Sequence, residues 1–154
     1  MSSISTILRV QRAYACTAET IYDAWLDPDV ARHFLFATPP TGEVTTCEID
    51  PGVNGHFVVV DHRPVDGDSA MDMRHEGRYL QLDRPRRIAF TFWLPQFGGH
   101  ETTVILDIEP QGDGCELTLR HDLGPWFKDP EVRQRTEDGW SKMLANLEAA
   151  LAKA

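Results

Sequence analysis

The chain has 154 residues, 42% hydrophobic and 25% charged, with 11 glycines and 10 prolines. This composition describes one globular domain, residues 1–154, large enough to bury a core without disulfides or a metal. The net charge of −9 repels phosphate backbones and anionic lipid heads, so nucleic acid and membrane surfaces are not expected partners.

The longest apolar runs are four residues, as at Phe34–Ala37 and Phe57–Val60, far short of the roughly 18 that a membrane span needs. Met1 to Leu8 carries no Lys or Arg, which is unlike a secretory signal, so a cytoplasmic location is expected. Cys16, Cys47 and Cys115 are odd in number and have no C-x-x-C pairing, which fits buried thiols in a reducing compartment.

Alternation of apolar residues from Ile4 to Tyr14 predicts the first strand. Thr17 is a candidate N-cap for a helix over 17–26, and Asp27-Pro28 restarts the chain as a second short helix that ends before Thr38-Pro39-Pro40. Between Glu43 and Asp122 the turn signals Pro51-Gly52, Asp66-Gly67, Asp83-Arg84-Pro85, Gly98-Gly99 and Gly112-Asp113-Gly114 divide the chain into six strands. The clearest three contain Ile88-x-Phe90-x-Phe92, Val104-x-Leu106-x-Ile108 and Cys115-x-Leu117-x-Leu119, each expected to show one face to a core and the other to water. In the strand 71–82 the apolar parity changes between Met73 and Leu80, which predicts a bulge near Gly77.

From Asp129 to Ala154, Thr136, Trp140, Met143, Leu144, Leu147 and Leu151 recur at helical spacing behind Pro130, predicting a long amphipathic helix. The expected fold is therefore α+β: a curved antiparallel sheet, in the order β-α-α-β6-α, gripping a C-terminal helix. A curved sheet does not pack flush on a straight helix, and the gap between them is a natural place for a ligand.

Six histidines raise the question of a metal. His56 and His62 share a strand face but lie about 20 Å apart at strand spacing, and the remaining four show no metal-ligand spacing, so no metal and no cofactor is expected. His75 and His121 share the parity of their strands' apolar residues, which makes each a candidate general base, ligand anchor or hydrogen-bonded core histidine. Asp61, Asp66 and Asp68 read as solvated turn acids. The expected ligand wall consists of Trp25, Phe34, Met73, Phe90, Phe92, Trp126, Trp140 and Met143, with His75 and His121 as polar contacts. Arg74, Arg78, Arg84, Arg86 and Arg87 form a basic cluster that could meet an acidic protein partner, and a homodimer is compatible with the sequence.

Four stretches carry a family resemblance: Arg12-Ala13-Tyr14-Ala15 through Trp25 and Pro28; His75-Glu76-Gly77-Arg78-Tyr79 through Pro85 and Thr91; Thr102-Thr103-Val104 through Gly114 and Leu119; and Gly139-Trp140 through Leu151. In this order they resemble the START-like (SRPBCC, helix-grip) superfamily, in the branch similar to the activator of Hsp90 ATPase. The resemblance implies the same helix-grip fold but no single chemistry, because members of the superfamily bind ligands, catalyse reactions or assist a chaperone. The expectation is non-catalytic binding of a small, mostly apolar ligand between sheet and helix. The alternatives are an interaction protein similar to the Hsp90 activator, and a cofactor-free enzyme using His75 or His121 as base in the same cavity.

Overall fold

The computed structural model describes residues 7–38, 42–64, 70–95, 99–124 and 129–153. In chain order it contains β1 (Ile7–Tyr14), α1 (Ala18–Leu26), α2 (Pro28–Ala31), β2 (Glu43–Ile49), β3 (His56–Pro64), β4 (Ala70–Asp83), β5 (Arg87–Trp93), β6 (Thr102–Gln111), β7 (Gly114–Asp122) and α3 (Pro130–Lys153). The seven strands form one antiparallel sheet in the order β1-β7-β6-β5-β4-β3-β2. Successive pairing runs from β2 to β7, and β1 returns to close on β7 with Leu8 opposite His121 and Tyr14 opposite Cys115. The curved sheet and C-terminal helix make the α+β helix-grip fold that the element order implied.

Thr17 caps α1, its Oγ1 accepting from the Thr20 amide at 3.3 Å, and Asp27 caps α2 through the Asp29 amide at 3.0 Å. The second helix is shorter than expected, ending at Ala31. It gives way to turns through Phe36, whose φ of +54° is incompatible with a continuing right-handed helix. On α3, Trp140, Leu144, Leu147 and Ala150 are buried and share the stripe that the spacing predicted. The proposed start of the first strand at Ile4 lies outside the described residues.

Two details of the sheet differ from expectation. The bulge in β4 is at Leu80, not near Gly77: the register slips between Tyr79 and Gln81, leaving Leu80 exposed on the outer side. Gly77 is required for another reason, because a Cβ there would overlap the Phe57 ring and the Thr91 carbonyl oxygen. β5 is buried on both faces: alongside Ile88, Phe90 and Phe92, the outward Ala89 and Thr91 are also buried. These are small residues in register with the longer Gln81 and Ile105, and with Arg78 and Thr103, so β5 does not show water the open face that alternation implied.

Candidate functional site

The inner face of the sheet and α3 bring most of the anticipated wall together. Trp25 from α1 meets the Phe34 ring edge-on at 5.2 Å and Trp140 at 6.5 Å. Phe92 from β5 lies 6.4 Å from Phe90 and 6.2 Å from Trp140. All five rings are buried, as is Met73 on β4, whereas Met143 on α3 is half-buried. Trp126 lies outside the described residues. Two rings absent from the expected wall bind the set together: Phe36 contacts Phe57, Phe92 and Trp140, and Phe57 contacts Phe90 and Tyr79. Phe36 was legible from the sequence as one of its large aromatic residues, though not its place in an irregular turn; Phe57 was missed, although it stands on the core parity of β3.

His121 and His75, expected as polar contacts, are both buried but differ in their partners. His121 Nδ1 accepts from the Trp140 indole N–H at 3.0 Å, so the ring proton belongs on Nε2, which donates to Thr102 Oγ1 at 2.8 Å. Burial pushes its pKa down to about 4, keeping the ring neutral, and both nitrogens are occupied. His121 thus joins α3 to β6 and β7 as a hydrogen-bonded core histidine.

His75 stacks on Phe36 with centroids 4.2 Å apart and planes within 7°. Burial first, and then the Arg63 guanidinium, push its pKa down to about 4. The Val59 and Met73 backbones act on the ring in the opposite direction, yet its Nδ1 is buried without a well-formed hydrogen bond among the described residues, a condition that native interiors seldom leave unexplained. The Phe36 backbone, at φ +54°, is in a region costing a bulky residue on the order of 1–3 kcal/mol, and such strain concentrates at ligand clamps and switch segments. Its amide donates to Met143 Sδ at 3.3 Å, which holds the turn against α3.

Phe36 and Met143 form the apolar part of a cleft of about 520 Å³ between the turn after α2, the end of β3 and α3, where Arg63, Arg135, Gly139 and Lys142 also line it. This volume suits a small organic ligand. Asp61 was read as a solvated turn acid, but it is a fully buried residue of β3. The overlooked signal was its parity, since Phe57, Val59, Asp61 and Arg63 are alternate residues of one strand. Its Oδ2 accepts from Arg63 Nε and Thr38 Oγ1, each at 2.7 Å.

The anticipated basic cluster lies away from this cleft and is largely neutralised. Arg84 makes a two-pronged pair with Asp23 at 2.9 Å, Arg87 pairs with Asp107 at 2.7 Å, and Arg74 approaches Glu76 at 3.4 Å. Arg86 is exposed and Arg78 half-buried. Arg86 and Arg87 border a charged groove of about 590 Å³ that also contains Asp83, Asp107 and Glu109. Among the described residues, no helix is long and apolar enough to cross a membrane.

Solved structures with this architecture come from several bacteria. CV1439 from Chromobacterium violaceum superposes with a TM-score of 0.76 at 24% identity, over 93% of this chain and 95% of its own. NE0264 from Nitrosomonas europaea gives 0.78 at 16% identity, over 99% of both chains. A protein from Rhodobacter sphaeroides gives 0.75 at 24% identity, over 99% of this chain and 97% of its own. At such identities the likeness establishes the fold alone. No curated protein matches the chain. Residues 15–152 match the family model described as activator of Hsp90 ATPase homolog 1-like protein, and the chain belongs to that family.

Proposed function

We propose that this protein binds, without catalysis, a small, mostly apolar ligand between the sheet and α3, admitted through the cleft beside Phe36 and Met143. The observation that carries the reading is His75 Nδ1, a buried polar atom without a well-formed hydrogen bond among the described residues, in a ring stacked on the Phe36 side chain that lines the cleft. A ligand group capable of hydrogen bonding would satisfy it. Of the expected wall, among the described residues, only Met143 lines the cleft. Trp25, Phe34, Met73, Phe90, Phe92 and Trp140 are buried in the core behind it, where a ligand would reach them only by parting their packing, and His121 holds the helix to the sheet there. The strained Phe36 turn is where this packed set opens. The family supports ligand binding as a general use of the fold.

The alternatives have less support. A base at His121 would have to give up the Thr102 or Trp140 hydrogen bond, so the enzymatic alternative rests on His75, whose Nδ1 the binding reading assigns to a ligand contact. A protein partner at Arg74, Arg78, Arg84, Arg86 and Arg87 would meet side chains most of which already have acids beside them.

Gly139 provides a test that spares the fold. It lines the cleft, and a Cβ placed there meets nothing within 4 Å, while leucine is the better helix former. Decanol is expected to change tryptophan emission saturably in the wild type, and Gly139→Leu should bind it at least about tenfold more weakly while melting no lower. Absence of saturable decanol binding in the wild type, or unaltered binding in the variant, would refute the proposal.

A further inference from the structure

Arg63 is held in an unusual way. It stands at the cleft end of β3, two residues beyond Asp61 on the same face, with its side chain about one-third exposed. Asp61 is entirely buried and gives one oxygen, Oδ2, to both Arg63 Nε and Thr38 Oγ1. Its other oxygen has no partner among the described residues. Gly42 closes over the pair: its amide donates to the Thr38 carbonyl at 2.7 Å, and a Cβ there would overlap Thr38 Oγ1 and come within 3.1 Å of Asp61 Oδ1.

A buried carboxylate is costly, and one left half-satisfied more so. Here it fixes a single guanidinium by its Nε. Neither Nη group of Arg63 has a partner among the described residues, although this fork is the part of arginine that matches a carboxylate with two parallel hydrogen bonds. Across the cleft, Arg135 and Lys142 on α3 are exposed and make no ion pair among the described residues. Asp138 is the acid among the lining residues, and its Oδ1 accepts from Gln134 at 3.0 Å. On a chain with a net charge of −9, this cleft therefore gathers three cations around an apolar floor.

We propose that the ligand admitted by this cleft is an amphipathic carboxylate, its acid group held by the Arg63 fork with Arg135 and Lys142 beside it, and its apolar part directed past Phe36 and Met143. Asp61 is a positioning residue that aims the fork. The inference rests on the binding reading above and specifies its ligand.

Decanoate and decanol, which share a chain and differ in the head group, provide the test. The wild type should bind decanoate about tenfold more tightly than decanol near neutral pH. The double variant Asp61→Asn/Arg63→Gln removes both charges together, so that no buried carboxylate is stranded. It should lose the preference for the acid, binding decanoate no more tightly than decanol. The exposed pair Arg135→Gln/Lys142→Gln, which leaves the core untouched, should reduce the preference in part. Carboxyl-labelled decanoate offers a reading independent of any variant: on the wild-type protein its carboxyl should titrate below its free value, by carbon NMR, because neighbouring cations favour the ionised form. Equal affinity for acid and alcohol, or a bound carboxyl titrating at or above its free value, would overturn the carboxylate inference and leave the apolar-ligand reading standing. Retained preference in a folded double variant would overturn the assignment to Arg63. Binding of neither compound would remove both readings.

Discussion

The Tyr14 hydroxyl on β1 donates to the Leu144 carbonyl on α3 at 2.7 Å, joining residues 130 positions apart inside the core. Burial pushes the phenol's pKa upward, so the group remains a donor across the working pH range. Tyr14→Phe keeps the ring and deletes this one bond. It is expected to cost about 1 kcal/mol, read as a lower urea midpoint with an unchanged denaturant slope.

Acid should unfold the protein in a window set by its two buried histidines. In the folded state both titrate near pH 4, against about 6.5 when unfolded. Between these values the unfolded chain binds more protons than the folded one, so stability rises with pH there. The contribution is fully present above about pH 6.5 and is lost progressively as pH falls toward 4, by up to about 3 kcal/mol for each histidine. Unfolding free energies measured across that range should show the slope, and His121→Asn should remove roughly half of it. A stability independent of pH through this window would contradict the buried, neutral placement.

Gly77→Ala should be strongly destabilising despite its small size. The added carbon would meet the Phe57 ring and a β5 backbone carbonyl, neither of which can withdraw without disturbing the core, so a loss of about 1–3 kcal/mol is expected. Thermal melts of the variant check this. A melt equal to the wild type would mean that Phe57 does not lie over the strand at Gly77.

Deleting residues 129–154 should abolish cooperative folding. The deletion removes Trp140, Leu144, Leu147 and Ala150, all buried, and leaves the sheet's inner face exposed to water. A monomeric truncated chain with a sharp melt would refute the helix-grip account of the core.

Elements that bury one continuous stripe were legible in the sequence, because side-chain period is local: two residues along β6 and β7, and 3.6 along α3. The N-caps Thr17 and Asp27 were legible for the same reason, since a cap acts on an amide two or three residues away. The inward placement of His75 and His121 also followed from parity. Their contrasting roles did not, because the partners of His121 lie on another strand and on α3, while His75 is defined by Phe36 in an irregular turn. Asp61 shows the same division. Its parity with Phe57 and Val59 was available, yet its burial depended on Thr38 and Gly42 closing over it. The cleft is a tertiary product throughout: Phe36, Arg63 and Gly139 come from a turn, a strand end and a helix, and no local period relates them. Along β6, β7 and α3 sequence alone determined which residues face inward, because that is set by backbone geometry over a few positions; the burial of Asp61 and of both faces of β5 was not set this way. Which of those residues meet, and which polar atoms are left without partners, was decided only when the sheet curved around its helix.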